Sequence, residues 1–269
     1  MSAPSTSLVH EARVLAVVGA ITKRSLVRVR RMPSAFVPSL AMPVFQVIAF
    51  SGAFGAAVVL AFASIGQDID SLDWYVPLAS IQGASFGALG VAFGLIQDIQ
   101  NGFFDRLRMA PAGRAALVIG PLVSALVRAF IPVTLVIVVG LIGGMNVPGG
   151  VLGVLCVAVA SLGIAFAAAG FAVGLTYRLR NMAAATLTQF FIFFVIFLST
   201  SQVPLFFMDG WLHAVARVNP MTNVLRFARQ GLLGEVTWHD TWGGLLALGV
   251  MCALGTLYAA RGVRTFDDR

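Results

Sequence analysis

The sequence predicts an all-α integral membrane protein with six transmembrane helices, an amino-terminal amphipathic interface helix and two short re-entrant helices between spans five and six. Residues Met32 to Gln67 contain no charged side chain, and several more charge-poor stretches follow. Hydrophobic residues make up 59% of the chain and charged residues 11%, against roughly 45–50% and 25% in soluble domains. Because a charge in lipid is costly, this pattern predicts one transmembrane domain over residues 1–269.

The first predicted element is a helix on the membrane surface, over residues 8–31. Its apolar residues share one arc of a helical wheel and its basic residues another, as in helices that lie in the headgroup region. The basic residues assigned to this interface helix are Arg13, Lys23, Arg24 and Arg31. A solvated basic leader that only sets the topology is the alternative.

The six predicted spans cover residues 36–62, 76–96, 117–142, 151–176, 183–202 and 242–260. Basic residues gather in the leader, in the loop after span two, after span four and at the carboxy terminus, whereas the loops after spans one and three contain none. Under the positive-inside rule this alternation predicts a plasma-membrane protein with both termini in the cytoplasm. The same rule accounts for the net charge of +7, so no nucleic-acid partner is expected.

The segment 204–240 is too apolar for a free outer loop, although it contains Arg217, Arg226 and Arg229. Asn219 and Pro220 favour a helix start, because asparagine caps helices and proline tolerates the first helical position. The pattern predicts two short amphipathic helices that dip into the outer leaflet and hold the three arginines at headgroup level.

The sequence lacks a motif for hydrolysing ATP. A phosphate-binding loop needs lysine followed by serine or threonine, and the only lysine, Lys23, precedes Arg24. Any ATP, with its Mg²⁺, is therefore expected on another polypeptide. No catalytic, cofactor-binding or metal-binding residue is predicted, and the chain is not expected to be an enzyme.

Arg128 is the one charged residue predicted inside a span. It is expected to contact Asp98 or backbone carbonyl groups near the cytoplasmic face, with an anionic substrate as the alternative. The six predicted spans contain no Asp, Glu or His, so a proton-coupled carrier is poorly supported.

The loop after span two, residues 97–114, is the most informative polar segment. Gly102 permits a break in the helix, and Pro111 ends the short helix that follows. Its mixture of apolar and charged side chains suits a groove on a cytoplasmic partner, with a helix resting on lipid headgroups as the alternative. The predicted docking residues are Asp98, Gly102, Phe103, Phe104, Asp105, Arg106, Leu107, Arg108 and Pro111.

These features resemble the ABC transporter type-2 permease family, and the chain is similar in style to daunorubicin-resistance-like exporters. The resemblance covers nearly the whole chain and rests on the basic leader, the six spans, the loop after span two and the carboxy-terminal motifs. Those motifs are Phe197-Leu198-Ser199, Pro204, Met208, Trp211-Leu212, Asn219-Pro220-Met221-Thr222 and Arg226 to Arg229. Asp209 departs from the proline that similar proteins often have before the Gly-Trp pair.

The resemblance implies a pair of membrane subunits, copies or relatives of each other, each docked to a cytoplasmic ABC ATPase that binds ATP and Mg²⁺. Residues 8–31 would then form the interface helix and residues 97–114 the coupling loop. The short helices within 204–240 would form an outer gate, to which we assign Pro204, Trp211, Asn219 and Pro220.

The implied function is that of the membrane (permease) subunit of an ATP-driven exporter. Charge-poor spans rich in phenylalanine and small residues favour a hydrophobic or amphipathic drug or lipid as the cargo that leaves the cytoplasm. A glycan or lipo-oligosaccharide exporter of the same family is the alternative, followed by a gradient-driven carrier or a membrane scaffold.

Overall fold

The computed structural model of the chain describes residues 6–31, 33–102 and 114–267. Within these ranges it contains nine α-helices, one short 3₁₀ turn and no β-strand, so the described part is all-α, as predicted. The helices are α1 (Thr6–Arg31), α2 (Pro33–Ala63), α3 (Ser71–Gln100), α4 (Arg114–Ile142), α5 (Gly150–Leu179), α6 (Ala183–Phe197), α7 (Gly210–Val218), α8 (Pro220–Leu233) and α9 (Trp238–Asp267), with the 3₁₀ turn at Leu205–Phe207.

Several of these helices have the length and composition needed to cross a bilayer. Within the described ranges there are five: Leu40–Ala63, Ser71–Gln100, Ala115–Ile142, Gly150–Leu179 and Trp238–Thr265. Helix α6 is apolar but has only 15 residues. Large apolar side chains cover the outer surface; Phe45, Leu60, Phe190 and Leu254 are between 61% and 70% exposed. Lipid tolerates such a surface and water does not, and the chain is a multi-pass membrane protein.

Helix α3 lies at the centre of the bundle. Its amino terminus has a capping box, in which the Asp70 carboxylate accepts a hydrogen bond from the Leu72 backbone N–H and the Asp73 carboxylate accepts one from the Asp70 backbone N–H. Most of its residues are buried against α2, α4, α5 and α8. A displacement of α3 therefore affects most of the bundle.

Glycines bring α5 and α9 into backbone contact. A Cβ atom on Gly170 would lie 2.6 Å from the carbonyl oxygen of Gly255, and one on Gly262 would lie 2.7 Å from the carbonyl oxygen of Gly174. Small residues allow this close approach, which is a main source of helix–helix stability in lipid. The contact fixes the last helix of the chain against the centre of the bundle.

The start of α3 differs from the prediction. The helix begins at Ser71 rather than at residue 76, because Asp70 and Asp73 cap its first turn. Asp73 is buried and also accepts a hydrogen bond from the backbone N–H of Asn146 at 2.8 Å. The helix therefore contains a carboxylate that the predicted span two leaves out.

The ends of α6 and α9 differ as well. Helix α6 ends at Phe197 rather than at residue 202, because the Val195 carbonyl group accepts a hydrogen bond from the Asn219 side chain and the Ser199 backbone N–H bonds to Ile196 instead. Helix α9 runs from Trp238 to Asp267 and extends beyond the predicted span 242–260 at both ends.

Candidate functional site

An ionic contact joins the last turns of α3 to α1. The Asp98 carboxylate oxygen Oδ1 accepts hydrogen bonds from Arg24 Nη2 and Arg28 Nη2, both at 2.8 Å. The Asp98 side chain is only 17% exposed, so water weakens these charge-assisted bonds less than it would at the surface. Lys23 and Arg31 are exposed, and the side chain of Arg13 lies outside the described residues.

Arg128 contacts two other helices from within α4. It is 8% exposed, and its Nη1 donates hydrogen bonds to the carbonyl oxygen of Gly90 at 3.2 Å and to Ser25 Oγ at 3.4 Å. One of its partners is thus a backbone carbonyl group, of the kind expected from the sequence. These bonds stabilise the place where α1, α3 and α4 meet.

Two glycines of α3 make room for the side chains of Arg128 and Arg28. A Cβ atom on Gly90 would overlap the guanidinium of Arg128, and one on Gly94 would overlap that of Arg28. Residues four apart lie on the same face of a helix, so one face of α3 receives both side chains. Gly90, Gly94 and Arg28 are not among the predicted site residues, although glycines at this spacing in a span indicate close approach.

Helix α3 ends just before Gly102, at the predicted break. Gly102 has a φ of 63°, in the left-handed region that favours glycine after a helix. Its backbone N–H donates to the carbonyl oxygen of Ile99 at 3.1 Å. Phe103, Phe104, Asp105, Arg106, Leu107, Arg108 and Pro111 lie outside the described residues, and their docking role stays a prediction.

Asn219 connects α8 to the end of α6. Its Oδ1 accepts a hydrogen bond from the Met221 backbone N–H at 2.9 Å, and its Nδ2 donates to the carbonyl oxygens of Val195 at 2.8 Å and Leu198 at 2.9 Å. Pro220 is the first residue of α8, so the predicted helix start is confirmed. Of the other predicted gate residues, Pro204 is buried just before the 3₁₀ turn and Trp211 is exposed.

Arg229 is buried inside the protein, so its guanidinium bonds protein groups rather than facing lipid headgroups; its predicted depth at headgroup level stays a prediction. It is 2% exposed, and its guanidinium stacks on Trp74 with its central carbon 3.5 Å from the ring centre. Its Nε donates to the carbonyl oxygen of Trp74 at 3.1 Å, its Nη1 to that of Thr200 at 2.6 Å and its Nη2 to that of Ser201 at 2.9 Å. Helical spacing is the one signal that separates Arg229 from its exposed neighbour Arg226, because Arg229 shares a face of α8 with Leu225 and Leu232. Its carbonyl partners leave no signal, because every residue has a carbonyl group.

Two apolar grooves open between the helices. One, of about 860 Å³, lies between α2 and residues 197–207 and contains Phe50, Phe54 and Phe207. The other, of about 1000 Å³, lies among α5, α6 and α9 and contains Phe171 and Phe191. Their linings are mostly apolar side chains, as in sites for hydrophobic ligands.

Comparison with known proteins shows which family combines these features. The sequence matches the family described as ABC-2 type transporter over residues 16–233. The chain belongs to the ABC-2 type transporter family. The matched ABC-2 region includes the contacts of Asp98 and Arg128, the break at Gly102 and the short helices α7 and α8, and it ends where α8 ends.

Curated relatives of this ABC-2 chain are transport permeases. The daunorubicin resistance ABC transporter permease protein DrrB1 of Streptomyces coeruleorubidus is 25% identical over 96% of this chain and 89% of its own length. Putative transport permeases ycf38 from Pyropia yezoensis and Porphyra purpurea are 24% and 23% identical, each over 93% of this chain and over 88% and 87% of their own lengths. The predicted resemblance is confirmed.

ABC-2 proteins of this kind are membrane subunits without an ATPase domain of their own, and they work with an ABC ATPase subunit. The chain is accordingly the membrane subunit of an ABC transporter.

Proposed function

We propose that this ABC-2 subunit belongs to an exporter that moves a hydrophobic or amphipathic drug or lipid out of the cytoplasm, driven by ATP hydrolysis on a separate subunit. The observation that carries the proposal is the ABC-2 match over residues 16–233 in a chain whose only lysine cannot form a phosphate-binding loop. ATP and Mg²⁺ bind to the partner ATPase, and two membrane subunits enclose the path of the cargo.

In this proposal the subunit crosses the plasma membrane six times and has both termini in the cytoplasm. Helix α6 supplies the fifth crossing, although 15 residues reach about 22 Å of a hydrocarbon core roughly 30 Å thick. Helices α7 and α8 return into the outer leaflet as a re-entrant pair and supply the remaining depth. The bonds of Asn219 to the end of α6 support this arrangement. Pro204, Trp211, Asn219 and Pro220 belong to the outer gate.

Energy enters at the segment that follows Gly102. Closure of the ATPases displaces this segment, and α3 carries the displacement into the bundle as a rigid element. The bonds of Asp98 to Arg24 and Arg28 support a joint movement of α1 with α3. The residues proposed to seat in the ATPase are Phe103, Phe104, Asp105, Arg106, Leu107, Arg108 and Pro111.

The two apolar grooves support a hydrophobic or amphipathic cargo. Their linings are mostly apolar and partly aromatic and suit an apolar surface, although Arg261 borders the second groove. A sugar with many hydroxyl groups would leave hydrogen bonds unmade in such a lining, which favours the drug or lipid over the glycan.

Reconstitution of the subunit with its ATPase in lipid vesicles tests the proposal. We expect ATP-dependent transport of a hydrophobic dye or a fluorescent phospholipid, and no transport by either chain alone. Transport of only a lipid-linked oligosaccharide would contradict the proposed cargo, and transport by the membrane subunit without ATP would contradict the exporter.

Two substitutions test the coupling segment. Gly102→Pro and Arg106→Glu should uncouple ATP hydrolysis from transport, because proline cannot adopt the φ of 63° at Gly102 and glutamate reverses a docking charge. Arg264→Glu, which reverses an exposed charge on α9 outside both the coupling segment and the gate, is the matched control and should export normally. The amount of each variant in the membrane is measured alongside. Normal export by both coupling variants would show that this segment does not couple.

A further inference from the structure

We infer that Arg229 joins α8, the first turn of α3 and residues 200–201 into one body, so that the outer gate moves with α3. The inference rests on the proposed exporter, and it assigns a positioning role to a residue outside the predicted gate. Arg229 belongs to α8, Trp74 lies in the first turn of α3, and Thr200 and Ser201 follow α6. One guanidinium of α8 therefore bonds two other parts of the chain and connects all three.

All three nitrogen atoms of the Arg229 guanidinium donate hydrogen bonds. Its Nε, Nη1 and Nη2 each donate to a different carbonyl oxygen, at 3.1, 2.6 and 2.9 Å. Its flat face rests on the ring of Trp74, where the attraction between a cation and an aromatic ring adds to the hydrogen bonds. Lysine has one ammonium group and no planar fork, so it cannot reproduce this set of bonds.

The burial of Arg229 makes separation of the three parts unfavourable. If α8 moved away from α3, at least one N–H of a buried cation and one buried carbonyl group would lose their partners. Unpaired charges in a protein interior are strongly destabilising. Relative movement of the helices is therefore expected at their other contacts, while the contact of Arg229 stays intact.

Trp74 and Gly102 lie near opposite ends of α3, which has 30 residues, and such a helix is about 45 Å long. A displacement imposed at Gly102 thus reaches Trp74, and through Arg229 it reaches α8. Asn219 holds the amino terminus of α8 at the end of α6. Helix α8 is therefore attached to α6 at one end and to α3, through Arg229, near the other.

Distances between spin labels on α3 and α8 test the inference in the complete complex with its ATPase. The labels are placed at Phe93→Cys on α3 and Asn223→Cys on α8, both exposed, after Cys156 and Cys252 are replaced by alanine. We expect a narrow distance distribution that is the same without nucleotide and after trapping with ATP and vanadate. In Arg229→Gln the distribution should broaden and should shift on trapping, because α3 then moves without α8.

The matched control is Arg226→Gln. Arg226 lies one turn earlier on α8, and its side chain is half-exposed and 4.0 Å from Asp240, so its loss should leave the distribution narrow. Trp74→Leu removes the stacking surface and the indole hydrogen bond to the carbonyl oxygen of Gln202, but keeps the backbone carbonyl group that Arg229 binds. It should give partial broadening, which provides a second variant should Arg229→Gln fail to fold.

The outcomes separate the inference from the proposed function. Two results would overturn the inference while the exporter stands. The first is a label distance that shifts on trapping when Arg229 is present. The second is a distance distribution in Arg229→Gln that is as narrow as in Arg226→Gln. A complex that hydrolyses ATP but transports neither the dye nor the phospholipid would contradict the proposed function, whereas the label widths would still decide whether Arg229 joins α8 to α3.

Discussion

Asp98 and Arg128 illustrate how charged residues are accommodated within this bundle. The carboxylate of Asp98 is neutralised by Arg24 and Arg28 of α1, and the guanidinium of Arg128 is bonded to a carbonyl oxygen of α3. Each charge is therefore stabilised by the protein rather than by lipid. The same contacts join α1 and α4 to α3, so single residues decide how these helices are held together.

Asp98→Asn tests the contribution of this contact to stability. The amide oxygen can still accept hydrogen bonds from the arginines, but the attraction to a negative charge is lost, and we expect the free energy of unfolding to fall by about 1–3 kcal/mol. Unfolding in mixtures of dodecyl sulfate and dodecyl maltoside, followed by tryptophan fluorescence, measures the change.

Asp68→Asn is the control for this substitution. Asp68 is exposed in the turn between α2 and α3, and its replacement should change the free energy of unfolding by less than about 0.5 kcal/mol. Equal effects of the two substitutions would show that the contact of Asp98 with α1 is unimportant.

The sequence predicts some of these residue contacts and misses others for a physical reason. An intramembrane arginine must find a polar partner, so a carbonyl partner for Arg128 is foreseeable. Arg229 also bonds to backbone carbonyl groups, but it lies in a short amphipathic segment, in which arginines commonly face the lipid headgroups. Only the folded chain brings Trp74, Thr200 and Ser201 around it.

At the level of helices, glycine contacts determine how closely the elements approach. In α5 and α9 the backbones meet at Gly170, Gly174, Gly255 and Gly262. Because lipid provides little hydrophobic force between helices, this close contact is a main contribution to their association.

Gly170→Ala should push α9 away from α5. Its new methyl group would meet the backbone of Gly255, and overpacking of this kind costs about 1–3 kcal/mol in free energy of unfolding. Gly249→Ala is the matched control, because a Cβ atom at Gly249 in α9 has no neighbour within 4 Å. The same detergent titration compares them, and a control as destabilised as Gly170→Ala would contradict the contact.

The existence and order of the helices are predictable, whereas their ends are less so. Apolar length marks where α2, α4 and α5 lie, because lipid excludes charges from such stretches. The start of α3 depends on the capping box of Asp70 and Asp73, and the end of α6 depends on the bond between Asn219 and the carbonyl group of Val195. A sequence pattern shows the exclusion of charges from lipid better than it shows the individual contacts at which a helix begins or ends.

At the level of the whole molecule, the number of crossings determines on which side each loop lies. Five described helices are long enough to span a membrane and α6 is shorter. Whether α6 crosses therefore decides the side of α7, α8 and the carboxy-terminal end of α9.

Labelling of single cysteines in intact cells tests this topology. After Cys156 and Cys252 are replaced by alanine, a membrane-impermeant maleimide should react with cysteines at Gln67 and Glu235. Cysteines at Met182 and Thr265 should react only after the membrane is permeabilised. If the cysteines at Glu235 and Met182 reacted from the same side, α6 would not complete a crossing.

The candidate coupling site combines a helix break that the sequence predicts with a docking contact that depends on another protein. The break at Gly102 follows from the conformational freedom of glycine, and the described helix ends there. The docking of Phe103 to Pro111 depends on a second protein, whose surface a single sequence does not contain. Their role stays a prediction that the coupling variants test.

Gly90 and Gly94 restrict the directions in which α3 can be displaced. The guanidinium of Arg128 fills the recess at the first and that of Arg28 the recess at the second. Rotation of α3 about its long axis would drive side chains with a Cβ atom into both guanidinium groups at once, whereas a tilt shared with α1 and α4 leaves both recesses occupied. A helix that tilts without turning about its axis moves as a rigid rod, so a displacement at the Gly102 end is transmitted to the Trp74 end without being lost as twist.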